Sequence, residues 1–486
     1  MKNILIAIRS IFKKGRHNVM KIVSLGIGLA VGLVLIAKVY FEQSYDDFYP
    51  DRDRVYQVWA KYQQKGGELK DYPQTSGGIA PTMQQQIPEI ETVTRYTSFG
   101  DWTFTMTDTK MKYSGRCIIA DSCFFDILPR PMLIGNAKEV LSTPMYVLIS
   151  SRIAKNIGGD VIGKNFTVDS SPGRTMTIGG VFEEVPENSH SRYDVIVSMA
   201  SAGRFMWEGS PTNMLGNDRY ISYVKLHKGV NPLALEEQVH TFVNSYFPPE
   251  EQQKTGFNIG FSFHELDGLH KELPQVKRMT WILSLLAFAL IFTAVMNYIL
   301  IVISSIVNRS KEVAVHKCYG ASENNIHGMM FGEALVHIVL SLILALLLIL
   351  AFRGTVEELL ATSLDSLLLS NGSLVLLGIC ILVFFVSGFM PGSLYARIPV
   401  ASAFRNYREN KRIWKKALLL VQFVATGFLV TMLVFVARQY TFMVNDRPGY
   451  AYENLAYCGL AGVDSTSRAK ILDEVIAESL RHISRK

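Results

Sequence analysis

Cysteine is scarce in this chain, and full charge is nearly missing from five long stretches of it. Five cysteines among 486 residues exclude a disulfide framework as the source of stability. On the topology argued below, only Cys117, Cys123 and Cys458 fall where bonding is permitted, since Cys318 lies in a cytoplasmic segment and Cys380 in a span. A Cys117–Cys123 bridge and two small buried hydrophobes both remain open. Complete catalytic motifs are lacking too. Gly158-Gly159-Asp160-Val161-Ile162-Gly163-Lys164 has the glycine and lysine spacing of a phosphate loop, but Asn165 stands where a Mg²⁺-binding Ser or Thr belongs, so it reads as a turn. His264-Glu265 with His270 lacks the H-E-x-x-H spacing that puts two imidazoles on one helical face. The expectation is therefore a non-catalytic chain with no metal, no cofactor and no nucleotide-hydrolysing site of its own.

The charge-poor stretches are residues 22–40, 279–307, 331–352, 374–395 and 417–437. About 20 apolar residues suffice for a helix, rising about 1.5 Å per residue, to cross the hydrocarbon core. Charge at mid-bilayer costs several kcal/mol, so charges crowding between the runs sharpen the signal. A mean hydropathy of +0.19 only averages a wet part with an oily one. The fold class read here is an α-helical membrane protein, with about five transmembrane helices and a mixed α/β extracytoplasmic domain at 41–277.

Basic residues in the short segments set the orientation. The leader, 1–21, holds Lys2, Arg9, Lys13, Lys14, Arg16 and Lys21 with no acid. Its Ile4, Leu5, Ile8, Ile11 and Phe12 share one helical face, as in an interfacial helix. A cleaved signal peptide fits less well, because the n-region is long and no A-x-A site follows. The linker 396–416 holds Arg397, Arg405, Arg408, Lys411, Arg412, Lys415 and Lys416 against Glu409. Leader and linker are expected in the cytoplasm, with the short loop 353–373 and residues 438–486 outside. This placement accounts for the net charge of +7 without nucleic acid.

Alternating patterns in the outer domain predict strands at 54–62, 102–107, 110–119, 166–168, 175–182, 219–226 and 257–264, and helices at 81–86, 151–157 and 232–246. Its length allows two subdomains, with 121–217 as an insertion.

In the membrane part, Gly28 with Gly32 and Gly388 with Gly392 make G-x-x-x-G pairs suited to close helix packing. Glu333 and His337, one helical turn apart, form a candidate intramembrane pair; a proton relay and interhelical hydrogen bonding both fit. Between the second and third spans, 308–330 contains Arg309, Lys311, Glu312 and Lys317 in a helix closed by Gly320, with Ser322 as a new N-cap after Ala321. Such a helix can dock on a cytoplasmic partner or simply connect two spans.

The run Arg309, Lys311, Glu312, Lys317, Gly320, Ala321, Ser322, with Glu333 in the next helix, resembles the signature of FtsX/MacB-type permeases of ABC transporters. The pieces Ala120-Asp121-Ser122-Cys123-Phe124-Phe125, Leu133-Ile134-Gly135-Asn136, Ile162-Gly163-Lys164 and Gly180 through Pro186 to His190 are similar to elements of the MacB-like periplasmic core domain. The resemblance covers nearly the whole chain. It implies a permease subunit in the inner membrane whose fuel, ATP with Mg²⁺, is bound by a separate cytoplasmic ABC ATPase. That ATPase would push the helix after the second span, and the motion would reach the outer domain for efflux, export, or lipoprotein or peptide extraction. The alternative within the family is an FtsX-like signalling subunit controlling a cell-wall hydrolase or an envelope-stress response. The mechanism asks for a stiff lever, a continuous helix from Gln275 through Val307, and about 30 residues would reach roughly 45 Å. Other expected partners are membrane lipid, a periplasmic adaptor or outer-membrane channel, and a second copy or second permease half. An internal repeat points to that second half: 416–454 mirrors 21–56, so 438–486 reads as the start of another outer domain, and the chain as stopping early in it.

Overall fold

The computed structural model describes residues 17–64, 67–169, 171–368, 372–396, 413–445 and 465–483. The leader up to Arg16, the linker 397–412, Cys458 and the repeat beyond Asn445 up to 464 lie outside the described residues. At Arg309 and Gly392 only the helical backbone is described. The chain divides into two compact units, a helical one of residues 1–44 and 273–451 and an α/β one of residues 45–272 and 452–486.

In the helical unit, Asn18–Gln43, Pro274–Ser304, Glu323–Ala351 and Leu419–Asn445 are long and apolar enough to cross a membrane by length and composition. The helix Ser373–Ala396 carries a shorter apolar stretch, Ser373–Phe389. The helices run past the apolar windows because helix propensity does not stop where hydrophobicity does. The core is built at i, i+4 spacing: Leu25, Leu29 and Leu33 pack with Ala294, Tyr298, Ile299 and Val302, and with Met330, Ile338 and Ala345.

Two expectations are corrected here. The helix expected to run unbroken through Val307 ends at Ser304, and Ser305 (φ −79°, ψ −8°) separates it from a second helix, Ile306–Cys318. The cause is a pair of serines. Ser304 Oγ donates to the Ile301 carbonyl at 2.8 Å and Ser305 Oγ to the Val302 carbonyl at 2.6 Å, so the hydroxyls share both carbonyls with the Ser305 N–H, whose bond is split between them at 3.3 and 3.2 Å. The segment 353–373, expected as a loop, contains helices Arg353–Leu360 and Leu364–Leu368. Arg353 pairs with Glu357 at 2.9 Å and Asp365 at 3.2 Å, and Glu357 also accepts from the Leu364 N–H. The acids there stitch two helices together.

The α/β unit holds one mixed sheet. Its strands are β1 (Val55–Gln64), β2 (Lys70–Tyr72), β3 (Ile90–Met106), β4 (Lys112–Ala120), β5 (Met132–Ile134), β6 (Tyr146–Ser150), β7 (Asn165–Val168), β8 (Ser171–Phe182), β9 (Val195–Ser198), β10 (Ile221–Leu226) and β11 (Phe257–Glu265). The order is β11-β1-β10-β3-β4-β9-β6-β8-β5, with β2 on β1 and β7 on β3 and β8. The 17-residue β3 is the spine. A register shift between Ser98 and Gly100, where Gly100 takes φ +73°, lets its first half pair with β10 and its second half with β7. Segment 121–217 supplies β5 to β9, joined to the rest through the parallel β4–β9 pair and the antiparallel β3–β7 pair. One core gathers Trp102, Phe104 and Phe166, another Val58, Met83 and Phe242, and a third, with Tyr96, Phe124, Phe182 and Tyr223, shares the sheet with both.

Every strand expected from alternation is present. The missed β6 and β9 are buried along nearly all their length, so no polar face marks them. Cys117 and Cys123 are both free thiols, the first buried and the second half-buried.

Candidate coupling site

The helix Ile306–Cys318 is set off at both ends. Ser305 separates it from the preceding helix, and at its C-terminus Gly320 takes φ +85°. The Gly320 N–H donates to the Lys317 carbonyl and the Ala321 N–H to the His316 carbonyl, both at 3.0 Å, which is a Schellman cap. The left-handed conformation is why glycine stands there. Ser322 then opens Glu323–Ala351, its Oγ accepting from the Asn325 N–H at 3.3 Å. Two caps within three residues fix the angle between the helices.

The short helix has two faces. Ser310, Val313 and Ala314 are buried, the last two in the core of the helical unit. Lys311, Val315, His316 and Cys318 are exposed, Glu312 and Lys317 half-exposed, and Tyr319 at the end is 89% exposed. Sequence reasoning named the charged positions and missed Val315 and Tyr319. The available signal was a tyrosine one residue before the cap glycine, off the stripe that Ser310, Val313 and Ala314 bury.

The helix that follows carries a polar seam. Glu333, His337 and Ser341 recur every four residues along one stripe of Glu323–Ala351, and all are buried. Glu333 Oε1 lies 3.6 Å from Lys21 Nζ, which also donates to Asn18 Oδ1 at 3.2 Å. His337 Nδ1 is 3.1 Å from the Tyr298 hydroxyl, with the two rings edge to face, and Ser341 Oγ donates to the Ile22 carbonyl at 3.1 Å. Lys21, read from sequence as leader charge, is fully buried. Near the other end of the first helix, Lys38 bonds Glu42 at 2.7 Å and Thr362 at 2.8 Å.

The glycines mark close helix approaches. A Cβ on Gly28 would overlap the Ala294 Cβ, one on Gly32 the Ile291 side chain, and one on Gly388 the Phe331 ring. Gly26, not singled out from sequence, faces Leu344 in the same manner.

Residues that invited a chemical reading are engaged structurally. Gly158, Gly159 and Gly163 all take positive φ in a turn after the helix Ser151–Ile157, and Lys164 lies 3.9 Å from Asp108. His264 stacks on Trp59, and burial lowers its pKa below the ordinary histidine value; His270 stacks on Tyr45. Asp121 accepts from the Arg95 backbone N–H at 3.0 Å and from Nε at 3.2 Å. Burial raises its carboxyl above the ordinary range, opposed by the Arg95 charge. Asp46, His190 and Tyr223 form a hydrogen-bonded series, but Asp46 and Tyr223 are both fully buried, so the series offers substrates no nucleophile.

Residues 20–242 match the MacB-like periplasmic core domain, and residues 284–400 match the FtsX-like permease C-terminal domain. No curated protein sequence matches the chain. Among solved structures, a domain of a permease protein from Porphyromonas gingivalis is 33% identical, with TM-score 0.41, over 45% of this chain and 91% of that one. The periplasmic region of MacB from Actinobacillus actinomycetemcomitans is 16% identical, with TM-score 0.30, over 45% and 92%. The extracellular domain of the noncanonic ABC-type transporter YknZ from Gram-positive bacteria is 10% identical, with TM-score 0.30, over 42% and 98%. The two family matches account for most of each unit, and permeases of this kind are membrane subunits that work with a cytoplasmic ABC ATPase. The chain belongs to the FtsX/MacB-type ABC transporter permeases, inner-membrane proteins with a MacB-like periplasmic domain.

Proposed function

We propose that this permease transmits work mechanically: a separate cytoplasmic ATPase, holding the ATP and Mg²⁺, displaces the helix Ile306–Cys318, and the displacement changes the conformation of the α/β unit. The N-terminus is then cytoplasmic, as the basic leader and linker require. The output is efflux, export, or extraction of a lipoprotein or peptide.

One observation carries the reading. A 13-residue helix is isolated by a serine break and a glycine cap, anchored by Val313 and Ala314, and presents Lys311, Val315 and the 89% exposed Tyr319 outward. A plain connector between spans has no use for an exposed aromatic held in fixed geometry. Aromatic anchors on otherwise polar patches are the residues that concentrate binding energy at interfaces.

The test is copurification of the full chain with its ATPase, followed by ATP hydrolysis of the complex in lipid nanodiscs. Tyr319→Ala and Glu312→Lys are expected to lower permease-stimulated hydrolysis by about tenfold or more, the scale of losing one interface anchor, with membrane insertion unchanged. Unaltered stimulation in both variants would mean that the ATPase docks elsewhere. Copurification of a cell-wall hydrolase, without ATP-dependent release of any substrate, would move the output to signalling.

A further inference from the structure

The chain passes from the helical unit into the α/β unit at Ser44–Tyr45 and returns at Glu272–Leu273. Inside the α/β unit, the stretch just after the first crossing is tied to the stretch just before the second. The Tyr45 ring stacks on His270 with centroids 3.4 Å apart and planes 8° from parallel. Lys271 Nζ donates to Asp47 Oδ1 at 2.9 Å and to Asp267 Oδ1 at 2.8 Å. Arg52 closes the ring, 3.1 Å from Asp47 and 3.2 Å from Asp267. Two cations and two carboxylates alternate, and every carboxylate serves both cations.

Half-exposed ion pairs taken singly contribute little. Here four share the same four side chains, so the entropy of ordering them is lost once for the whole set, and the ring stack adds a contact that salt does not screen. What these residues hold is one segment against the other.

Both segments are also rooted in the sheet. Asp46 is fully buried and takes a left-handed φ of +60°, tolerated by aspartate. Its Oδ1 accepts from Ser189 Oγ at 3.0 Å and from the His190 N–H at 3.3 Å, its Oδ2 pairs with His190 Nδ1 at 2.8 Å, and its own N–H donates to the Asn188 carbonyl. His190 Nε2 meets the Tyr223 hydroxyl on β10, and Ser191 Oγ donates to the Tyr96 hydroxyl on β3. On the other segment, the buried Leu266 donates its N–H to the Val55 carbonyl of β1 at 2.9 Å and packs in the core that holds Tyr96 and Tyr223.

We propose that Tyr45, Asp47, Arg52, Asp267, His270 and Lys271 form a yoke that makes both chain crossings move as one body with β1, β3 and β10. A displacement arriving along either crossing then reaches the sheet instead of being absorbed by bending at the junctions. The yoke rests on the coupling function proposed above, and its six members are positioning residues that need touch neither the ATPase nor a transported molecule.

The experiment uses the full chain with its copurified ATPase in nanodiscs, comparing amide hydrogen exchange of β1 and β10 with and without ATP and vanadate. The variants are Asp47→Ala with Asp267→Ala, and Tyr45→Cys with His270→Cys. ATP hydrolysis is expected to persist in both, while the ATP-driven change in exchange falls at least about fivefold, the lower end of site-to-site coupling. Oxidising the double-cysteine variant re-ties the segments and is expected to restore the change, and reduction to abolish it again, so one folded preparation serves as its own control. An undiminished change in the alanine pair and in the reduced cysteine pair would overturn the yoke and leave the coupling function standing. No ATP-driven change in the unaltered chain, with hydrolysis intact, would overturn the coupling function and the yoke with it.

Discussion

Gly28 and Gly427 are both glycines in long apolar helices, and their surroundings make opposite demands. A Cβ on Gly28 would overlap Ala294, whereas one on Gly427 meets nothing within 4 Å. Gly28→Leu must therefore push two helices apart, and overpacking of this kind costs about 1–3 kcal/mol. Gly427→Ala only gains helix propensity, up to about 1 kcal/mol. Thermal unfolding in detergent should show the first variant clearly destabilised and the second equal to or above the unaltered chain. Lys21 and Glu333 offer a second contrast. Neutralising one partner of a buried pair leaves the other charge poorly compensated, while changing both relieves it. Lys21→Met alone is expected to destabilise more than Lys21→Met with Glu333→Gln, with a coupling energy of about 1–3 kcal/mol in the double-mutant cycle. Simple additivity would show that the 3.6 Å approach contributes nothing.

Among elements, the Schellman cap after the coupling helix is the most sensitive to substitution. Gly320→Ala keeps the N–H bond to Lys317 and pays only the left-handed backbone strain of about 1 kcal/mol. Gly320→Pro loses that N–H and cannot adopt φ +85°. The expected outcome is near-normal stimulation of the partner ATPase by the alanine variant and none by the proline variant, both inserted in the membrane. The corner joining β1 to β10 titrates instead. Hydrogen bonds from Lys225, then Arg54, hold the Asp51 carboxyl below its ordinary pKa. A depressed carboxylate pKa stabilises the fold above the ordinary value near 4 and loses that contribution as pH falls through it toward the depressed one. Asp51→Asn should therefore lower the melting temperature at pH 6, and by progressively less as the pH falls below about 4. The side chain is 38% exposed, so solvent screening keeps the effect small. Elements differ equally in how far sequence reveals them. Long charge-free runs and alternating strands announce themselves, because one property repeats at the period of the structure. Strand β9, Val195–Ser198, is buried at every position and carries no such period. The Ser304–Ser305 break was hidden inside an apolar run, where hydropathy does not register a hydroxyl bonding backward to its own helix. The Lys21–Glu333 and Tyr45–His270 pairings join residues hundreds of positions apart, which no local pattern records.

On the scale of the whole molecule, the coupling function requires the helix Ile306–Cys318 and the α/β unit to face different compartments, and the chain carries its own reporter for one of them. Cys318 is an exposed thiol at the end of that helix, whereas Cys117 is buried and Cys123 half-buried. Placing one cysteine at Thr109, exposed in the turn between β3 and β4, supplies a reporter for the other side. A charged maleimide that enters the periplasm but not the cytoplasm should label Thr109→Cys in intact cells and leave Cys318 untouched. Permeabilising the inner membrane should then expose Cys318 to the reagent with no further gain at position 109. The basic residues make this outcome a physical expectation, because lysines and arginines in short segments stay on the cytoplasmic side. Labelling of Cys318 in intact cells, with Thr109→Cys protected, would place the α/β unit in the cytoplasm. Tyr319 would then be out of reach of any ATP-driven partner, and the helix that presents it would be an ordinary connector between two spans.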